Sequence, residues 1–236
     1  MSKDVTAAAL AAQLGLRTAG ELAPAERASG GVVTSSRSMV PVTSDIARLL
    51  PYGGLAAATA LAAARVGATS LLWRLLAGPT SAGAWCAVVG LSGMYPSAAA
   101  AAGVDLARLV LVEADGPRLL DAAAALAGGV PVLVAPSAAF TPIQERRLTA
   151  RARRSGTAIV WWQTRPVAGA DARLEVTGAH WQGLRANTGR RWGAGRLNAC
   201  GLEVAARWRG GASRQATIWP YGGDRPGNVI DLRRRR

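Results

Sequence analysis

The chain has 236 residues, half of them apolar, so one or two domains can bury a full core without disulfides or metal. It carries 28 basic and 14 acidic residues, net +14, and Lys3 is the one lysine. That excludes Schiff-base, P-loop and kinase lysine chemistry in the folded body; one His (His180) and two Cys (Cys86, Cys200) are too few for a Cys/His zinc site. With no G-x-S-x-G elbow either, the expectation is a protein without catalytic residues, metal or cofactor.

The first 28 residues mix charges with Ala and Leu and do not resemble a signal peptide. Two distant cysteines give no disulfide framework, so a cytoplasmic protein is expected. Residues 75–104 carry no charge, long enough to span a bilayer. Pro79, Pro96 and five glycines break that stretch, and it reads instead as a buried strand with flanking turns, with no membrane partner.

In chain order, residues 4–15 predict a helix, followed by a loop to about residue 40. Residues 58–66 read as a strand, 69–77 as a helix with Gly67 or Thr69 near its N-cap, 84–89 as a strand and 96–102 as a short helix opened by Pro96. Strand 108–112, helix 117–127 ended by Gly128-Gly129, and strand 130–135 follow. Helix 142–154 is signalled by Thr141 as cap, Pro142 at N1 and Glu145 in the first turn; strand 157–162 comes next. The alternation predicts an α/β fold: a mostly parallel twisted sheet flanked by helices. Beyond residue 165, segments 172–178, 201–209 and 214–219 alternate apolar and polar residues. Gly210-Gly211 marks an antiparallel hairpin between the last two.

Charge divides the chain. Residues 1–140 hold nine basic and eight acidic groups; residues 141–236 hold 19 and six. In the basic half, Arg185, Arg190, Arg191 and Arg196 cluster around Trp192. Arg207, Arg209 and Arg214 alternate with apolar residues and predict one cationic face, with Trp219 beside it. Arg233, Arg234, Arg235 and Arg236 end the chain as a tail. Arginine interleaved with tryptophan suits single-stranded nucleic acid and protein hot spots equally, so DNA and an acidic protein surface both remain open as partners.

Strand, glycine, Thr-Ser pair and helix is the layout of a P-loop. Residues 62–69 (AAARVGAT) keep Gly67 and Thr69, but Ala62 and Ala68 stand where the first glycine and the lysine would be. LLPYGGLAAATALAAARVGATSLLWRLLA (49–77) resembles the entry to the RecA ATPase core. GVDLARLVLVEAD (103–115) resembles its next strand, and AIVWWQTR (158–165) resembles the strand whose glutamine couples nucleotide to DNA; Gln163 matches that glutamine. ARLEVTG, GLEVAARWR and RQATIWPYGG resemble the closing strands. Gly67, Thr69, Ser70 and Gln163 are then a vestigial nucleotide site. GLSGM (90–94) supplies no glutamate, VPVLVAPS (130–137) no aspartate, and TRPVAGAD (164–171) replaces a long DNA-binding loop. The resemblance thus implies a RecA core without hydrolysis, magnesium or that loop.

The texture SAGAWCAVVGL, GVDLARLVLV and ARRSGTAIVWW (within 81–162) is similar to the ImuA/ImuA-prime family, and more distantly to SulA division inhibitors. The family implies an SOS-induced accessory factor of mutagenic translesion synthesis, nucleoid-associated on DNA damage. Its partners would be an ImuB-type Y-family-like adaptor, an error-prone replicative-type polymerase reached through it, and RecA. The SulA alternative implies a cell-division protein instead, and a basic DNA-binding module is a further alternative. The organisation expected is an N-terminal helix and linker (1–44), a degenerate RecA-like core (45–165), closing strands with a basic insertion (166–223) and a disordered Arg-rich tail (224–236).

Overall fold

A computed structural model describes residues 39–163, 167–185 and 194–222; at 184–185 and 194–198 it gives the backbone course alone. The expected helix at 4–15, Arg190, Arg191, Trp192 and Arg233–Arg236 lie outside the described residues, as do the side chains of Arg185 and Arg196.

The chain opens on a short two-stranded ladder, β1 (Val40–Pro41) against β2 (Gly54–Leu55), with α1 (Ser44–Ala47) between them. The strands of the main sheet are β3 (Ala58–Ala62), β4 (Cys86–Val89), β5 (Leu109–Val112), β6 (Val132–Pro136), β7 (Ala158–Gln163), β8 (Ala172–Arg185), β9 (Ala194–Trp208) and β10 (Ser213–Ile218). They lie in the order β10-β9-β8-β3-β7-β6-β4-β5. From β8 to β5 every neighbour pair is parallel; β8-β9 and β9-β10 are antiparallel. The expected α/β class holds, with the antiparallel hairpin at the C-terminal side.

Four longer helices cover the sheet: α2 (Ala68–Ser81), α3 (Pro96–Ala101), α4 (Gly116–Leu126) and α5 (Pro142–Ser155). One core joins α2 and α3 to Leu61, Val88, Val134, Val160, Leu174 and Leu202 on one face. The other joins α4 and α5 to Ala60, Val89, Leu133, Ile159 and Trp161. Central strands buried on both faces need uninterrupted apolar sequence, which is why CAVV and VLVA read as they do.

Side chains alternate along β7, so Trp161 and Trp162 part. Trp161 is fully buried under α4 and α5, edge-on to Phe140 at 5.8 Å; Trp162 packs partly buried against the α2 side. Helices cover both faces of the sheet here, so neither ring stands fully in solvent.

Several boundaries differ from the sequence expectation, most of all those of β3, α2, β8 and β9. The strand at 58–66 stops at Ala62. Its last rung is the Ala63 N–H to the Gln163 carbonyl (2.7 Å), after which Arg65 and Val66 turn the chain into α2. Helix α2 runs four residues past 77, through Pro79; the Thr80 hydroxyl donates to the Leu76 carbonyl in that last turn (2.8 Å). Strand β8, at 14 residues, is twice the expected length, and β9, at 15, begins seven residues before the expected start. Gly178 and Gly201 look like breaks in the alternation, yet each only makes room. A Cβ on Gly178 would lie 2.7 Å from Glu203 Oε2, and one on Gly201 3.0 Å from the Trp219 ring. A bulge at Thr177 resets the face on which the apolar residues fall.

Candidate functional site

The loop after β3 is where the sequence places a vestigial nucleotide site. Gly67 caps α2 at φ +90°, a conformation that favours glycine, and no side chain caps the helix there. The Ala68 N–H bonds back to the Arg65 carbonyl (3.1 Å), and the Leu71 N–H to the Gly67 carbonyl (2.9 Å). The loop rests on β9: a Cβ on Gly67 would sit 2.6 Å from Leu202 Cδ2.

The hydroxyls of the first turn have different surroundings. Thr69 is half-buried. Ser70 is buried, and its Oγ shares a 2.7 Å hydrogen bond with the Tyr221 hydroxyl, just beyond β10. The Tyr221 ring stacks on Trp181 of β8 at 6.3 Å and 24°. Arg65 is the cation of this loop, and it turns to Glu175 on β8 (3.2 Å). A helix N-terminus with free N–H groups attracts phosphate, but here its cation is committed to a carboxylate and its serine to a tyrosine. Gln163 closes β7 next to Ala63, buried, with its Oε1 unpartnered. Gly67, Ser70 and Gln163 therefore flank one strand-to-helix turn, and β8–β10 supply what packs on it.

Leu202, Trp181 and Tyr221 were not singled out as a group by the sequence. Their separation of 19 or more residues from one another, and of more than 100 from Ser70, hides them. The signal available was the Tyr in the closing phrase RQATIWPYGG, which needs the sheet order before it can be placed.

The arginines of the hairpin do not form the single cationic face expected. Arg207 lies opposite Ser213 and Arg173 and is exposed. Arg214 lies opposite Ala206, one residue out of phase with Arg207, and so belongs to the other face. Its guanidinium covers the Trp208 ring at 5.0 Å, and its Nη1 donates to the Arg48 carbonyl (3.3 Å). The Trp208 Nε1 donates to the Leu49 carbonyl (2.9 Å). Arg209 has left the strand for the turn, where it bonds the Gly169 carbonyl and pairs with Asp171 (3.4 Å). Arg153 reaches the same carboxylate (3.6 Å), and Asp171 Oδ2 accepts from the Ala58 N–H (3.3 Å). Two of the three hairpin arginines thus tie the sheet to its neighbours. Trp219 lies partly buried over Gly201. His180 pairs with Glu203 across β8 and β9 (2.9 Å).

Burial pushes the Cys86 thiol up to about 12, and burial also raises Cys200. Neither is a nucleophile at neutral pH. Among the described residues, no group of three His, Cys, Asp or Glu is placed to hold a metal ion, and no helix is long and apolar enough to cross a membrane.

Comparison with known proteins agrees with the position of this core. A family model described as the MT3502 N-terminal domain matches residues 48–168, from the turn before β2 to the loop after β7. An uncharacterized protein of Mycobacterium tuberculosis, Rv3395c, is 28% identical over 164 residues, covering 69% of this chain and 70% of its own.

Proposed function

The chain belongs to the family of the MT3502 N-terminal domain, and from that premise we propose that it works without nucleotide chemistry, as an ImuA-type, RecA-like accessory protein. In this reading it serves SOS-induced mutagenic translesion synthesis. It holds an ImuB-type Y-family-like adaptor, through which an error-prone replicative-type polymerase is recruited, and it modulates RecA. Its workplace is then the cytoplasm, at the nucleoid when DNA is damaged.

The observation that carries the proposal is the state of the strand-to-helix turn. Ala68 stands at the lysine position, Arg65 is held by Glu175, and Ser70 is held by Tyr221. A nucleotide's β- and γ-phosphates would find no ammonium there and would have to displace two internal contacts. A sheet retained without its chemistry is suited to carrying partners. Its +13 C-terminal segment (residues 141–236) supplies the attraction for an acidic adaptor or for DNA.

Two experiments test this. Titration of the full chain with magnesium ATP in a calorimeter should give no saturable heat; saturable micromolar binding would contradict it. Deleting residues 190–236 should abolish a reconstituted complex with the adaptor; an intact complex would refute docking through that part of the basic half.

A further inference from the structure

Helix α5 carries five arginines and one glutamate between Pro142 and Ser155. They are not equivalent. Arg153 is engaged with Asp171, and the Arg146 Nε donates to the Pro142 carbonyl (3.2 Å). Arg147, Arg151 and Arg154 are exposed, and among the described residues their guanidinium groups have no hydrogen-bond or ion-pair partner. Their spacing of four and three places them on one face of the helix, spread over about 10 Å of its axis.

That face borders a groove between α4 and α5. The three arginines form its basic wall, and Leu120, Ala124 and Leu148 lend it apolar surface. Asp121 also lines it, as does Gln144, whose Oε1 is already used by the Thr141 N–H in the helix cap (2.8 Å). The groove is built on fixed parts. Thr141 and Gln144 form a reciprocal cap at the start of α5, and Gly156 ends it at φ +77°. The Ser155 hydroxyl donates to the Ala127 carbonyl at the end of α4 (2.5 Å), and Thr157 to the Val130 carbonyl (2.8 Å). A preformed surface loses little freedom when a partner binds.

We propose that the α4–α5 groove docks an acidic amphipathic helix of a partner protein. Glutamates or aspartates of that helix pair with Arg147, Arg151 and Arg154, while its apolar stripe covers Leu120 and Ala124 above the buried Leu148. A helix offers carboxylates at the same four-and-three spacing, and arginine's planar fork matches them in pairs. Nucleic acid fits less well. No aromatic ring lines the groove for base stacking, and its apolar surface has no use for a phosphate backbone. The groove lies among residues the sequence did not single out for binding, and its use is independent of the function proposed above.

The test uses the full chain and three labelled probes followed by fluorescence anisotropy. The first is a synthetic helical peptide with leucines on one face and flanking glutamates. The second is polyglutamate of the same length and charge, and the third an oligo-dT strand. The peptide should bind more tightly than polyglutamate. Arg147→Gln with Arg151→Gln should weaken the peptide tenfold or more, and Leu120→Ser should weaken the peptide but leave polyglutamate unchanged. Arg48→Gln with Arg74→Gln removes the same charge away from α4 and α5 and should change affinity less than twofold; circular dichroism confirms that each variant is folded. The proposal is overturned if the peptide does not bind, or if polyglutamate or oligo-dT binds as tightly as the peptide. Equal losses in the two double variants would overturn it as well.

Discussion

Ser70 and Tyr221 lie 151 residues apart and share a 2.7 Å hydrogen bond. The bond joins the first turn of α2 to the segment that follows the last strand. It places a tyrosine where the sequence leads one to look for a phosphate site. Because Ser70 is buried, the bond is part of the fold as well as of the site.

Replacing Tyr221 by Phe keeps the stack on Trp181 and removes only the hydroxyl. The Ser70 hydroxyl then loses its partner, at a cost of about 1–2 kcal/mol. Urea unfolding should show that loss. Ser70→Ala combined with Tyr221→Phe should cost less than the sum of the two single changes, because the pair is removed together.

The docking of β1 and α1 depends on Gly78. A Cβ there would lie 2.5 Å from both Val42 Cα and Thr43 N, backbone atoms that cannot rotate away. Gly78→Ala should therefore destabilise by about 1–3 kcal/mol despite alanine's better helix propensity. A thermal melt equal to that of the parent would refute the contact.

Asp45 of α1 supplies a pH dependence. Burial alone would raise its carboxyl. The hydrogen bond from Arg74 (2.9 Å), the Arg74 charge and the Ile46 N–H outweigh burial and hold it below the usual carboxylate range. The folded value is the lower one, so its contribution is complete above the unfolded value of about 4 and is lost as pH falls through the folded value. Asp45→Asn should cost about 1–2 kcal/mol at pH 7. The difference from the parent should close as pH drops below about 4, read by denaturant unfolding at each pH.

The thiols give a direct check of the core. Cys86 and Cys200 are both fully buried in the same cluster and not joined to each other. A disulfide reagent at pH 7.5 should leave the native chain unlabelled over minutes and should count two thiols after denaturation. Rapid labelling of the native protein would contradict the packing of β4 and β9.

Much of the sheet was legible because its local signals agree. Thr141, Pro142 and Glu145 mark the start of α5, Gly210-Gly211 mark the β9–β10 turn, and the CAVV and VLVA runs read as strands buried on both faces. What stayed hidden depends on distant partners. The length of β8 and β9 was masked by Gly178 and Gly201, whose neighbours Glu203 and Trp219 are visible only once the register is known. The phase of Arg207 against Arg214 depends on the hairpin register, and so does the loss of a shared face. The closure of the α2 turn by Leu202 and Tyr221 follows from the order β10-β9-β8-β3, a tertiary fact with no local sequence mark.

The central claim is that the chain is a partner-carrying factor of mutagenic synthesis. The measurement that meets it most directly is recovery of the tagged full-length chain from DNA-damaged cells of its own host, with bound proteins identified by mass spectrometry. The account predicts an ImuB-type adaptor and an error-prone polymerase, recovered equally by the parent and by Thr69→Ala. Recovery of a cell-division protein in their place, or of neither after damage, would contradict it.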